Sequence, residues 1–355
     1  MKIIHRSILK ELALTFILSL ASLNFILMME KVLRLSRFLS GVGTSVTDMI
    51  KIILYLQPQL FLLTIPMSLL LSTLLVYGRI NMDNELVIMR ISGMRFRSIS
   101  FPVAMLGIAC FLLNIAVSFY IGPMSSVKLR DEITNIIKVR TPLAIEEGRF
   151  NTLFKGMLIF VEEKTSDNTV RKIFIYDSRN QNEPKVLMAK EGTIAVQEAF
   201  NINFILKDGY INIVKGDTTT EMFFKKYNMM LRLESDTPGK KNSELTPLGL
   251  IERIKSTDRH HASFIYLELH RRISLPLLCI ILIFFGPPLS MMAGKSGKLG
   301  GLTLGLAVFT SYYMLLIYGE NLVRAGKSPH YIGAWVSTVV LGVVALLMFR
   351  KVSLK

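Results

Sequence analysis

Hydrophobic positions in this chain fall into two blocks of three long runs, separated by a polar stretch. Six segments carry no charged residue: Leu12–Met29, Ile52–Gly78, Ser98–Val127, Ile273–Gly294, Leu299–Gly319 and Ser328–Phe349. At a rise of about 1.5 Å per residue, each is long enough as a helix to cross a hydrocarbon core of about 30 Å. Between Lys128 and Arg272 no charge-free run exceeds eight residues, so that part cannot span. The pattern predicts an α-helical membrane protein with six transmembrane helices (3+3) and one water-soluble insert. The expected division is 1–127 for the first three spans, 128–262 for the insert and 263–355 for the last three spans.

Inside the insert the pattern shortens. Met157–Val161, Lys172–Tyr176, Lys185–Met188, Gly192–Val196, Asn201–Leu206 and Tyr210–Val214 are brief runs rich in Ile, Val, Phe and Tyr. Turn-formers separate them: Ser166-Asp167-Asn168, Asn180-Gln181-Asn182 and Asp208-Gly209, the last a hairpin signal. Short strands at regular spacing predict an all-β domain, a sandwich, barrel or jelly roll. Ser235–Lys241 reads as a loop and Pro247–Ile254 as a short helix leading back to the membrane.

Charge sets the expected orientation. With a cytoplasmic N-terminus, the inner short segments hold twelve Lys and Arg and the outer short loops six. The positive-inside rule then places both termini in the cytoplasm and the insert outside it. Lys2, Arg6 and Lys10 before Leu12–Met29 resemble a signal peptide. The apolar run is too long for one, however, and Glu30-Lys31-Val32-Leu33-Arg34 offers no small-residue cleavage site. A mean hydropathy of +0.45 agrees with a polytopic chain. The net charge of +16 fits anionic lipid better than nucleic acid.

Catalytic and metal motifs fail on inspection. Gly294-Lys295-Ser296 lacks the earlier glycine of a phosphate-binding loop, since that position is Leu289. His260, His261 and His270 do not have metalloprotease spacing, and the two cysteines lie in apolar runs. The sequence therefore points to no catalytic residue, no metal site and no cofactor.

Two features carry functional content. Between the second and third spans, Asp83 is placed to cap a helix, Glu85 sits in its first turn and Gly93 suits its stop. Leu86-Val87-Ile88-Met89-Arg90-Ile91 between them is apolar nearly all round, so it needs a covering surface. That surface is either the lipid interface or a groove on a cytoplasmic partner. At the far end of the first span, Lys31, Arg34 and Arg37 recur every three residues. They either snorkel to head groups or meet an anionic ligand.

The order of these pieces resembles the LptF/LptG permease family of the lipopolysaccharide-extracting ABC transporter. The resemblance rests on the basic start Met1–Lys10, on Pro58 and Ile65-Pro66 before Tyr77-Gly78-Arg79, and on Asp83–Gly93. Glu268–Pro276 and the Gly-rich stretch Gly297–Gly305 complete it. Glu30–Leu35 looks somewhat more like LptF than LptG.

The resemblance implies a non-enzymatic inner-membrane permease subunit with a periplasmic β-jellyroll that passes lipopolysaccharide to a periplasmic bridge. It implies an LptB-like ATPase dimer docked on Asp83, Glu85, Leu86, Met89 and Arg90, a homologous permease partner (LptG or LptF) and an LptC-like periplasmic or membrane protein. Lys31, Arg34 and Arg37 would face lipid phosphates. A reading from another class is a membrane-anchored envelope sensor or scaffold whose β-domain binds a partner without transport.

Overall fold

A computed structural model describes residues 3–39, 45–144, 147–151, 156–166, 168–179, 183–196, 201–215, 218–232, 242–256, 259–292 and 297–353. The expected loop at Ser235–Lys241 and turn at Asn180–Asn182 lie outside them, as does Ser296. Ten α-helices are described: α1 Ile3–Leu39, α2 Val46–Met82, α3 Glu85–Ile91, α4 Phe96–Ile99, α5 Phe101–Ala116, α6 Gly122–Ala144, α7 Pro247–Lys255, α8 Arg259–Met292, α9 Gly297–Arg324 and α10 His330–Ser353. A π-helical turn, Val117–Ile121, joins α5 to α6 without a break. Among the described residues, six helical stretches are long and apolar enough to cross a membrane, matching the six charge-free runs.

The chain divides into two compact units, one of Met1–Glu30, Tyr55–Val127 and Lys240–Lys355, the other of Lys31–Leu54 and Lys128–Gly239. In the first, α2 and α8 are the most enclosed spans. Ile65, Leu69, Leu74, Leu278, Cys279 and Tyr312 form its central core. Several buried hydroxyls there bond back along their own helix, as Thr73 Oγ1 does to the Leu69 carbonyl at 2.7 Å, and need no outside partner.

Both enclosed spans contain proline, at Pro58 and Pro66 in α2 and at Pro276, Pro287 and Pro288 in α8. A proline frees the carbonyl four residues earlier. α5 and the π turn supply two replacement donors, one helical turn apart. Asn114 Nδ2 donates to the Leu62 carbonyl at 3.4 Å, and Ser118 Oγ to the Arg272 carbonyl at 2.9 Å. These are the carbonyls that Pro66 and Pro276 leave without a donor.

In the second unit, β1 Phe150–Asn151, β2 Met157–Ser166, β3 Thr169–Asp177, β4 Lys185–Val196, β5 Asn201–Lys215 and β6 Thr218–Arg232 make one antiparallel sheet. Each strand pairs with its neighbours in sequence. The all-β insert expected from the sequence is present. The jellyroll implied by the resemblance takes the form, among the described residues, of an up-and-down sheet without crossing connections, because short links return each strand beside the last.

Four of the expected strands are two long ones. Lys185–Met188 and Gly192–Val196 are both β4, while Asn201–Leu206 and Tyr210–Val214 are both β5. Asp208-Gly209, read as a hairpin, lies inside β5. The cause is a row of charged doublets: Glu162-Glu163, Arg171-Lys172, Lys190-Glu191, Lys207-Asp208 and Lys225-Lys226, all exposed. The cross-strand register skips one level at this row between every pair of long strands, running from Val161↔Ile173 to Glu163↔Arg171 and likewise across β3–β6.

Two successive outward residues reverse the alternation. On both sides of the row the apolar residues therefore face one core. Ile173, Ile175, Leu187 and Ile211 enter it from one side, and Val170, Ile194, Phe204 and Leu206 from the other. Lys172 and Asp208 in the row both have φ of 49°.

Candidate functional site

The turn at the end of α2 is built around one guanidinium. Arg79 meets Glu11 of α1 in a two-pronged pair, Nε to Oε1 and Nη2 to Oε2, both at 2.7 Å. Its Nη1 also reaches Asp83 Oδ2 at 3.1 Å and Glu85 Oε1 at 3.2 Å. All four side chains are about one-third to one-half exposed, so each pair contributes on the order of 0–1 kcal/mol. Their value is geometric. Three carboxylates around one guanidinium fix the chain reversal.

This changes the role given to Asp83. It does not cap α3; the residue before the helix is Asn84, in a left-handed conformation at φ 58°, with no side-chain cap bond. Asp83 is drawn off by Arg79, four residues earlier on the same helix face. Gly93 does end the helix as expected. At φ 84° it donates to the Arg90 carbonyl at 2.9 Å, while Met94 N–H reaches the Met89 carbonyl at 3.1 Å. That pair of bonds is a Schellman stop.

The faces of α3 are now distinct. Leu86 and Met89 turn inward to a core of Ile8, Leu12, Tyr77, Ile80 and Ile99. Val87, Ile88 and Ile91 turn outward, at 48%, 64% and 82% exposure. Arg90 lies over the Phe96 ring at 5.6 Å and donates to the Val352 carbonyl at 3.4 Å, tying α3 to the end of α10. Phe349 packs on both Phe96 and Phe284, which continues that tie into α8. The structure thus offers a short outward apolar ridge beside a cluster of acids.

Sequence reasoning missed Arg79, Glu11 and the Val87–Ile88–Ile91 face. The i, i+4 pair of Arg79 and Asp83 at the border of a charge-free run was a usable signal. The inward–outward split was not, because nearly every side chain of α3 is apolar.

At the opposite end of α1, the helix runs without interruption to Leu39, so residues 31, 34 and 37 share about a third of its circumference. Lys31 is exposed. The side chains of Arg34 and Arg37 lie outside the described residues.

The chain's likeness to known proteins accords with this layout. A curated protein of Rickettsia prowazekii (strain Madrid E), described as Uncharacterized protein RP871, is 24% identical over 219 residues, 61% of this chain. Those residues span 59% of that protein, less than two-thirds of its length. A family model described as Lipopolysaccharide export system permease LptF/LptG matches residues 6–351, which takes in all six spans and the β-insert. The model does not separate LptF from LptG. This chain belongs to the LptF/LptG family of lipopolysaccharide export permeases.

Proposed function

We propose that this chain is the non-catalytic membrane subunit of an ABC-type transporter that lifts lipopolysaccharide from the inner membrane. It pairs with a homologous permease, and an LptB-like ATPase dimer supplies the energy. An LptC-like protein and a periplasmic bridge receive the lipid from the β-insert. In this reading both termini are cytoplasmic and the insert is periplasmic, as the Lys and Arg distribution favours.

The observation that carries the reading is the outward ridge of α3. Three exposed aliphatic side chains beside two half-exposed acids suit a partner groove of matching shape with basic rims. Asp83, Glu85 and Arg90 would set the register of docking. Leu86 and Met89 would hold the ridge in place from beneath. At the outer end, Lys31, Arg34 and Arg37 would meet lipid phosphates through charge-assisted bonds of about 1.5–3 kcal/mol each.

Purification of the tagged chain from its native membrane, with co-eluting proteins identified by mass spectrometry, tests the reading. It should bring down an ATPase and a second permease. Ile88→Asp should lose the ATPase and keep the permease. Retrieval of neither partner by the unaltered chain would leave a scaffold role instead. Orientation is tested by single cysteines. One at Asn168 should react with an impermeant label once the outer barrier is opened, and one at Ser296 should not. Lipid photo-crosslinking from 31, 34 and 37 should exceed that from Ser45; equal yields would mean general head-group anchoring.

A further inference from the structure

Arg272 is 4% exposed, and both its main chain and its side chain bond outside the ladder of α8. Its carbonyl, without a donor because of Pro276, accepts from Ser118 Oγ in the π turn. Its guanidinium turns elsewhere. Nη2 donates to the Asn242 carbonyl at 2.9 Å, Nη1 donates to the Leu245 carbonyl, and Nε faces Glu268 Oε1 at 3.4 Å. Asn242 and Leu245 bracket a single 3-10 turn, Asn242–Glu244, in the segment that follows β6 in sequence. Two residues further on, α7 begins and packs on α8, with Leu250 fully buried.

A mere fastening would not need this arrangement. Taking a guanidinium out of water is costly, and apolar packing alone holds a strap to a helix at least as well. What a planar fork adds is direction: two carbonyls and a carboxylate are met by three separate nitrogens, a geometry that one ammonium cannot copy. The fork sits one turn before Pro276, where the helix ladder is open and bending is concentrated. The residue whose carbonyl Pro276 leaves open is therefore also the residue that grips the returning chain.

We propose that Arg272 is a positioning residue for transport: it fixes the 242–256 segment to the proline joint of α8, so that movement of this span is delivered to the chain leaving the β-insert. This rests on the transport reading above.

The test has two arms on the full-length chain. In lipid nanodiscs, amide exchange across Pro247–Lys255 should quicken about tenfold in Arg272→Lys, with α9 and α10 unchanged. In the assembled, ATPase-bound complex, Arg272→Lys should hydrolyse ATP at the unaltered rate yet release lipid about tenfold more slowly. Ser118→Ala, a milder change, should uncouple in the same sense.

Unchanged exchange would overturn the proposal. So would hydrolysis and release falling together, which is the mark of a merely structural residue. A complex of the unaltered chain that moves no lipid would instead sink the transport reading, and it shows itself before any substitution is made.

Discussion

The spans and the β-insert both interrupt their own hydrogen-bond ladders, and they mend the gap in opposite ways. In the helical unit two of the interruptions are at Pro66 and Pro276, and their stranded carbonyls are met from inside by Asn114 and Ser118. In the insert the interruption is a whole row of the sheet, and its ten side chains are charged and face outward. The difference follows from what surrounds each break. An open backbone group in a span has no water to turn to, so a neighbouring helix must bury a polar side chain. An open level in a sheet washed by water needs nothing buried, only that nothing apolar be exposed there. Asn114 and Ser118 within the spans therefore mean repair, whereas a charged doublet within a strand means a reversal of its alternation.

The sharpest way to break the comparison is to fill the space beside the insert's outward row. A Cβ on Gly209 would lie 2.2 Å from the Met188 carbonyl oxygen and 2.6 Å from Phe224 Cζ. The first is backbone of the adjacent strand and cannot swing aside. Gly209→Val is expected to cost about 3 kcal/mol or more through overpacking. Limited proteolysis of the full chain should then cut the insert while the spans stay protected. An intact insert would mean that the row is soft enough to absorb a side chain.

That glycine also shows where the sequence was legible and where it was not. The six spans could be read directly, because absence of charge over a membrane's thickness is a strong and local signal. The insert's class was legible from its β-branched and aromatic runs. Its strand count was not. Lys190-Glu191 and Asp208-Gly209 break the period of two just as a turn does, and only the register with neighbouring strands reveals that the chain runs on. At the candidate site, Gly93 could be read from its type and position. The Asp83 cap failed because a competing arginine four residues earlier took the carboxylate, a tertiary outcome with Glu11 as its other half. The prolines were visible in the sequence, but Asn114 and Ser118, the distant donors that answer Pro66 and Pro276, were not.

The repair inside the spans should be measurable as a coupling. Asn114→Leu removes the donor to the Leu62 carbonyl and should destabilise the detergent-solubilised chain by about 0.6–1.7 kcal/mol, the range for polar contacts between spans. In a Pro66→Ala background the backbone N–H returns to the ladder, so the same substitution should cost much less. Equal costs in both backgrounds would detach Asn114 from the proline and undo the parallel with Ser118.

Among the described residues of the sheet, Asp177 is an inward carboxylate that tests the outward rule. Asp177 is 7% exposed at the end of β3. Burial alone would raise its carboxyl, but Arg179 donates through its backbone N–H at 3.1 Å, Nε at 2.9 Å and Nη2 at 2.6 Å, and holds it below the ordinary value. A depressed carboxyl contributes stability that is complete above the unfolded value, about pH 4, and is lost as pH falls through the folded one. The stability difference between the unaltered chain and Asp177→Asn should therefore be constant at neutral pH and shrink below about pH 4. Arg179→Gln should move that loss to higher pH. A difference that does not vary with acid would show the pair to be a bystander.

The smallest effect belongs to the outward row itself. Lys190 is exposed in the middle of β4, and its level has no cross-strand partner in the register on either side. If its charge serves only to keep that level in water, Lys190→Gln should change stability by no more than about 0.5 kcal/mol, as exposed substitutions usually do. Lys190→Val should be just as well tolerated in the isolated molecule, yet lower solubility, since it puts a β-branched apolar residue where the alternation reverses. Comparing the two by thermal unfolding and by light scattering separates the roles. A clear loss of stability in Lys190→Gln would mean that the row is held together by specific ion pairs, as Lys172 and Glu162 are at 2.6 Å. The insert would then mend its broken ladder with side chains after all, much as the spans do.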